Sequence, residues 1–215
     1  MLTSVAKFTF NSFQENTFVI HDGDVCVIID PGCNSSAEEQ QLIDFIEENR
    51  LEPTAILLTH GHLDHVMGVP FLRKKYGVPF YIHEADVITL KSAPIAAQLY
   101  GIPNFTATEE APTHFLNHGD LLEFGQIRLE VMFTPGHAPG HVVFYNQEDN
   151  YVINGDVLFN GSFGRYDLPG GDLATLIASI KNVLFELPDD TLVCCGHGPE
   201  TTIGAERKHN PILDY

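Results

Sequence analysis

Three histidines and an aspartate fall within six positions of the segment Leu57-Leu58-Thr59-His60-Gly61-His62-Leu63-Asp64-His65. This cluster follows the apolar run Ala55-Ile56-Leu57-Leu58, which is typical of a buried strand. The polar side chains therefore begin where the chain is expected to leave a sheet. In open α/β layers, that end of a strand is where ligands bind.

The spacing within the cluster predicts metal binding. His60 and His62 lie two positions apart, so on extended chain their side chains point to the same side and can face one ion. Asp64 and His65 follow where the chain is expected to bend into a helix over residues 66–76, which can aim them at a second ion. Imidazole and carboxylate ligands without cysteine suit zinc, iron or manganese rather than calcium. One such histidine alone is more often a surface or capping residue, but four clustered groups are costly to bury without a shared partner.

Later in the chain, residues of the same types again follow predicted strands and stand beside glycine. They are His137 after a strand over 127–133, Asp156 after one over 151–154, and His197 after one over 191–195. Glycine lets the backbone turn sharply and pass close to a bound group. His141 is predicted to support the site or pack beside it rather than to bind an ion.

The order of the predicted elements indicates the layers of the fold. Each half of the chain has a β-rich part followed by a helix, so we expect two sheets with helices outside them. Short helices or loop are expected over residues 84–90 and 94–100, and an amphipathic helix over 172–185. The four cysteines form no C-x-x-C pair and are predicted to be reduced and structural.

Length and composition limit the class of protein. The 215 residues favour a single domain over residues 1–215. No apolar run approaches the ~18 residues that span a bilayer, and the N-terminus lacks the features of a signal peptide, so we expect a cytoplasmic protein without a membrane partner. A net charge of −18 argues against nucleic acid as a partner. It does not exclude a small anionic substrate, since cations in a cleft can reverse the local field. The oligomeric state is not predicted.

The series His60-x-His62-x-Asp64-His65, followed by His137, Asp156 and His197, resembles the metallo-β-lactamase superfamily over nearly the whole chain. The resemblance implies an α/β fold, a four-layer αββα sandwich with a dinuclear site at the edge of its two sheets. It also implies two divalent metal ions, with zinc the first expectation and iron or manganese as alternatives. The implied ligand sets are His60, His62 and His137 for one ion and Asp64, His65 and His197 for the other, with Asp156 bridging them.

Within the superfamily, four motifs are similar to glyoxalase II, the hydroxyacylglutathione hydrolases. They are residues 59–68, Thr134-Pro135-Gly136-His137, Gly164-Arg165-Tyr166-Asp167 and Gly196-His197-Gly198-Pro199-Glu200-Thr201. The resemblance implies a thioester hydrolase, acting on small molecules such as S-lactoylglutathione through a metal-bridging hydroxide, with Asp64 and Asp156 as catalytic residues.

Substrate contacts are harder to assign from the same resemblance. Full-length glyoxalase II carries a helical C-terminal domain that supplies basic residues to glutathione. Only 18 residues follow His197 here, which are too few for such a domain. The predicted substrate contacts are therefore Arg165 and Tyr166, with Arg207 and Lys208 as further candidates.

Other activities on the same fold remain alternatives. A persulfide dioxygenase would hold a single iron through His60, His137 and Asp156. In that family the position of Leu63 is usually alanine, which favours the hydrolase. A hydrolase of another substrate class, such as a lactamase or a phosphodiesterase, is a further alternative, as is a metal-binding protein without catalysis.

Overall fold

Two six-stranded sheets form the centre of the computed structural model, which describes residues 3–103 and 105–215. In the first sheet the strands lie side by side in chain order: β1 (Ser4–Phe10), β2 (Glu15–Asp22), β3 (Val25–Ile29), β4 (Glu52–Leu57), β5 (Phe80–His83) and β6 (His114–Leu116). The second sheet contains β7 (Leu121–Phe124), β8 (Ile127–Phe133), β9 (Val142–Asn146), β10 (Tyr151–Gly155), β13 (Leu192–Cys195) and β14 (Thr201–Thr202). Between β10 and β13 the chain forms a separate hairpin of β11 (Leu158–Phe159) and β12 (Ser162–Phe163).

Helices cover the outer face of each sheet. The first sheet is covered by α1 (Ser36–Glu48), α2 (Leu63–Val66), α3 (Val69–Tyr76) and α4 (Val87–Tyr100), and the second by α5 (Leu173–Asn182) and α6 (Ile203–His209). Alternate residues of a strand face opposite sides, so Phe18 and Ile20 pack between the sheets while Val19 packs under the helices. The four layers confirm the predicted αββα sandwich.

The strand directions bring distant parts of the chain to one edge. Strands β3 to β6 run parallel to one another, and β10 runs parallel to β13. Their carboxyl ends therefore lie on the same side of the sandwich, and the residues that follow them can meet. Asn16 joins the two sheets there, because its backbone N–H donates to the carbonyl of Gly196 over 2.7 Å and its side-chain amide donates to Cys195 and Gly198.

The helix expected over residues 66–76 is interrupted. Helix α2 ends at Val66 and α3 begins at Val69, with Gly68 between them. The N–H of Gly68 donates to the carbonyl of Pro31 over 2.7 Å, and a Cβ at this position would meet Cys33 Sγ at 2.4 Å. The close approach of Gly68 to Pro31 and Cys33 therefore interrupts the helix, although the hydrophobic pattern of the sequence continues through this position.

Helix α4 differs from the prediction in the opposite direction. The two short pieces expected over 84–90 and 94–100 form one helix from Val87 to Tyr100, with Pro94 inside it. Leu90, Ala93 and Ala97 are buried in the cluster beneath the helices. This packing holds the helix together across the proline, since helical stability in proteins comes mostly from burial of one face.

The cysteines are free and buried, as expected of structural thiols. Burial raises the pKa of Cys26, Cys194 and Cys195 to about 12. None of these three is therefore a thiolate nucleophile near neutral pH. No helix within the described ranges is both long and apolar enough to cross a membrane.

Candidate metal centre

All the side chains predicted as metal ligands converge at the edge where the two sheets meet. Two triads form there, each with one ligand atom per residue and all three atoms within 4.8 Å of one another: His60, His62 and His137, and Asp64, His65 and His197. Asp156 stands between the triads. Its Oδ2 lies 3.6 Å from His137 Nε2 and 3.4 Å from His197 Nε2, while its Oδ1 lies 3.5 Å from His65 Nε2.

Hydrogen bonds orient most of the histidine rings. In four of them Nδ1 faces a neighbouring protein oxygen, which assigns the N–H to Nδ1 and turns the lone pair of Nε2 into the cluster. The partners are the Thr59 hydroxyl for His60 (2.9 Å), the Asp30 carboxylate for His65 (3.1 Å), the Arg165 carbonyl for His137 (2.8 Å) and the Phe13 carbonyl for His197 (3.2 Å). The fifth ring, His62, instead places Nδ1 2.9 Å from His137 Nε2.

Unsatisfied atoms test whether this cluster fits a metal. His60 Nε2, His65 Nε2 and Asp156 Oδ1 are buried and lack a hydrogen-bond partner. Leaving a buried polar atom unpaired costs about 1–3 kcal/mol, and these three lie in one cluster of lone-pair donors. A divalent cation satisfies such donors together, and imidazole with carboxylate is a ligand set that zinc and iron accept. The residues therefore fit a metal centre.

The two triads differ in charge. Burial lowers the pKa of His60 and His137, and lowers that of His62 to about 3, so this triad is neutral, the form in which imidazole binds metals. Burial also acts to lower the pKa of His197, but hydrogen bonds to Asp156 and Asp64 outweigh it and raise that pKa to about 10. The carboxylates of Asp64 and Asp156 therefore stabilise a positive charge beside His197 Nε2, which is either a proton or a metal ion in its place.

Asp30 also supports the cluster, although it is not among the residues predicted from the sequence. Its carboxylate accepts from the N–H of Thr59 over 2.7 Å, from the Thr59 hydroxyl over 2.5 Å and from His65 Nδ1. Asp30, His60 and His65 also have one possible ligand atom each within 4.8 Å of one another. The hydrogen bonds to Thr59 and His65, however, already involve both oxygens of the Asp30 carboxylate. Its φ of 49° lies in the left-handed region. The available signal was its place after β3, at the edge that carries the other ligands.

His141 also supports the cluster, as predicted. It is fully buried, and its Nε2 accepts the backbone N–H of Asp156 over 3.1 Å. Its ring stacks on that of His60, with centroids 4.7 Å apart and planes 23° apart. His141 thus fixes the backbone of the residue that stands between the two triads.

Asp86 is a second residue that the sequence did not reveal. It is fully buried, and its carboxylate accepts the N–H groups of Gly61 and Gly140, the latter over 3.0 Å. A Cβ at Gly61 would meet Leu90 N at 2.5 Å, and one at Gly140 would meet Asp86 N at 2.4 Å. One carboxylate therefore holds together the loop that carries His60 and the loop that carries His137.

The Asp86→Ala variant should bind metal more weakly, because the two loops lose their shared acceptor and two buried N–H groups lose their partner. We expect metal affinity to fall roughly tenfold to hundredfold, as for other residues that hold metal ligands in position without binding the metal themselves. Competition against a fluorescent chelator measures the change. Asp120→Ala is the matched control, since Asp120 accepts the Asn117 N–H in a surface turn. Equal affinity in wild type and Asp86→Ala would contradict this role.

A cleft of about 610 Å³ opens above the cluster. Its floor contains His62, Asp64, His137, Asp156 and His197, whereas His60 and His65 lie completely buried beneath. Arg165, one of the two predicted substrate contacts, lines this cleft.

The other basic and aromatic candidates lie elsewhere. Tyr166 is exposed and is not part of the cleft lining. Arg207 binds the carbonyls of Phe185 and Leu187 and the carboxylate of Asp189, so it ties α6 to the neighbouring chain rather than facing the cleft.

Comparison with known families identifies the fold. A model of the metallo-beta-lactamase superfamily matches residues 11–197, a range that contains every predicted ligand. The chain belongs to the metallo-beta-lactamase superfamily. Among its relatives in the superfamily, hydroxyacylglutathione hydrolase GloC of Haemophilus influenzae is 41% identical over 206 residues, covering 94% of each chain. Probable metallo-hydrolase YqgX of Bacillus subtilis is 40% identical over 94% of this chain and 93% of the relative. The chain is therefore a metallo-hydrolase.

Three solved structures are similar to this chain over nearly its whole length. The B3 metallo-beta-lactamase BLEG-1 superposes with a TM-score of 0.89 at 37% identity, over 99% of this chain and all of that one. TTHA1623, determined in a di-iron-bound form, gives 0.86 at 40% identity, over 97% of this chain and all of that one. ETHE1 from Myxococcus xanthus gives 0.76 at 27% identity, over 98% of this chain and 84% of that one.

Proposed function

We propose that this protein is a dinuclear metallo-hydrolase of small-molecule thioesters such as S-lactoylglutathione. The observation that carries the proposal is the pair of ligand triads with Asp156 between them, at the floor of an open cleft. The similarity to GloC, a hydroxyacylglutathione hydrolase, supports the same substrate class.

The residues divide the work as follows. His60, His62 and His137 would hold one ion, and Asp64, His65 and His197 would hold the other. Asp156, which lies between the two triads, would contact both ions. When bound, a pair of divalent ions lowers the pKa of water and polarises a carbonyl oxygen. The carboxylates of Asp64 and Asp156 supply negative charge that would stabilise two cations at the floor of the cleft. We therefore assign the catalytic roles to these two residues. Zinc is our first choice of metal from the ligand types, and iron is the alternative that the di-iron form of TTHA1623 supports.

A thioester suits the groups that line the cleft. A thiolate has a modest pKa and leaves without a strong proton donor. The only lysine or arginine among the described lining residues is Arg165. The thiols of Cys26, Cys194 and Cys195 are buried and have raised pKa values, so we assign the attacking oxygen to water rather than a thiolate nucleophile.

The alternative is a persulfide dioxygenase with a single iron. The similarity to ETHE1 fits this alternative. His60, His137 and Asp156 are the ligands that the dioxygenase would need. A second complete triad of Asp64, His65 and His197 favours the dinuclear hydrolase, because a single-iron enzyme has no use for it.

Metal content and hydrolysis of S-lactoylglutathione, measured on the same preparation, test the proposal. We expect nearly two metals per chain, turnover, and loss of turnover after chelation with recovery on adding metal back. One iron per chain, no hydrolysis and oxygen uptake with glutathione persulfide would instead establish the dioxygenase. Two metals without turnover would keep the metal centre and reject the substrate.

A further inference from the structure

The wall of the cleft formed by α4 is apolar and exposed. Ile95 and Leu99 line the cleft with 63% and 81% of their surfaces accessible. Ile88, two turns before Ile95, lies on the same face of the helix and is 71% accessible, but it is not part of the lining. Apolar side chains exposed in a contiguous patch usually mark a binding surface.

Aromatic rings continue this wall to the metal centre. Phe159 and Phe163, from the hairpin of β11 and β12, also line the cleft, and the ring of Phe159 lies 6.2 Å from that of His197. Phe13 packs edge to face on Tyr100 at the end of α4, with centroids 5.3 Å apart. A group that reaches the metal ligands therefore has apolar surface beside it.

Three polar side chains near this wall already have partners. Arg165 donates from Nε and Nη2 to the two carboxylate oxygens of Asp167, over 2.8 and 3.0 Å. The Ser92 hydroxyl donates to the carbonyl of Thr89, and the Thr89 hydroxyl donates to Asp86. Glutathione carries two carboxylates and an ammonium group, so this lining offers it few charged partners. A hydrocarbon chain needs none.

We propose that the cleft binds the apolar acyl chain of the thioester, with Ile95 and Leu99 as specificity-determining residues. The inference rests on the proposed thioester hydrolysis and assigns the substrate class as acyl thioesters with a hydrocarbon chain. Because burying a methylene group is worth about 0.8 kcal/mol, each added methylene should raise kcat/KM by up to about fourfold until the cleft is filled.

The test uses the metal-loaded protein and the acetyl, butanoyl and hexanoyl thioesters of N-acetylcysteamine, a small neutral thiol. We expect kcat/KM to rise along the series. Values that stay level or fall with chain length would overturn the proposal. The ethyl, butyl and hexyl thioethers of the same thiol cannot be hydrolysed, and calorimetric titration with them separates binding from turnover. Affinity that rises with chain length without cleavage of any thioester would keep the acyl site and reject the hydrolase. Affinity independent of chain length would reject the acyl site.

Substitutions on α4 locate the effect. Leu99→Ser should lose about tenfold in kcat/KM for the hexanoyl thioester and much less for the acetyl thioester, as expected when part of a leucine contact is removed. Ile95→Ser should act in the same direction. Ile88→Ser is the matched control, because it removes an exposed isoleucine from the same face outside the cleft. Equal losses in Ile88→Ser and Leu99→Ser would show that the whole face serves another purpose and would overturn the assignment.

Discussion

The Asp156→Asn variant should lose most of its metal and hydrolyse thioesters about a thousandfold more slowly, a loss equivalent to about 4 kcal/mol of transition-state stabilisation. The Asp156 carboxylate lies between the two triads, with His137 and His197 near Oδ2 and His65 near Oδ1. Asparagine has nearly the same shape but removes the charge and points an N–H₂ group at the ligands. The backbone N–H that binds His141 is unchanged, so the fold should persist.

Metal analysis and kcat/KM measured on the same sample check this result, with circular dichroism to confirm folding. Asp190→Asn is the control, since Asp190 is exposed and its substitution removes the same charge from the surface. Full metal content with normal turnover in Asp156→Asn would mean that Asp156 is not the shared ligand.

The second large effect is expected from Asp64→Ala, which should remove one metal per chain and reduce hydrolysis about a hundredfold or more, since one cation is lost from a two-cation site. Asp64 Oδ2 lies 3.2 Å from His197 Nε2 and 3.8 Å from His65 Nε2, so its loss disrupts one triad. Its backbone carbonyl still accepts from Asn11 Nδ2, which holds the loop in place.

The same variant distinguishes the two candidate activities. A single-iron dioxygenase that uses His60, His137 and Asp156 would keep its iron and much of its activity without Asp64. Metal content and both assays, run on Asp64→Ala and on His62→Ala, therefore decide between them. Normal thioester hydrolysis in both variants would rule out the dinuclear mechanism.

The layers of the fold and the convergence of the ligands were predictable because their signals are local. Short apolar runs mark the strands, and His60, Asp156 and His197 each follow such a strand beside glycine. The parallel directions of β3 to β6 and of β10 with β13 then bring these strand ends to one edge.

The supporting residues were not predictable, because their partners lie far away in the chain. Asp86 accepts from Gly61 and Gly140, which are 25 and 54 positions distant, and Asp30 binds His65 across 35 positions. An isolated aspartate before a helix has the ordinary interpretation of a cap. The continuity of α4 through Pro94 likewise depends on tertiary packing rather than on its own sequence.

That residues 1–215 form a single domain and that the protein works in the cytoplasm both stay predictions. The roles of Arg165 and Tyr166 in substrate binding also stay predictions, although only Arg165 lies in the cleft. The role of Arg165 can be tested by measuring KM of the Arg165→Ala variant for a glutathione thioester and for a simple acyl thioester.

The two ends of helix α4 contact different parts of the site. Its start is anchored through Asp86 to both metal loops, and Ile95, nine residues further on and about 14 Å along the axis, faces the substrate side of the cleft. Substitutions near the anchored end should weaken metal binding and so reduce activity toward every substrate. Substitutions near the far end should change substrate specificity alone. Laboratory evolution toward new acyl groups should therefore draw its successful mutations from the second half of this helix, and homologues should diverge there first.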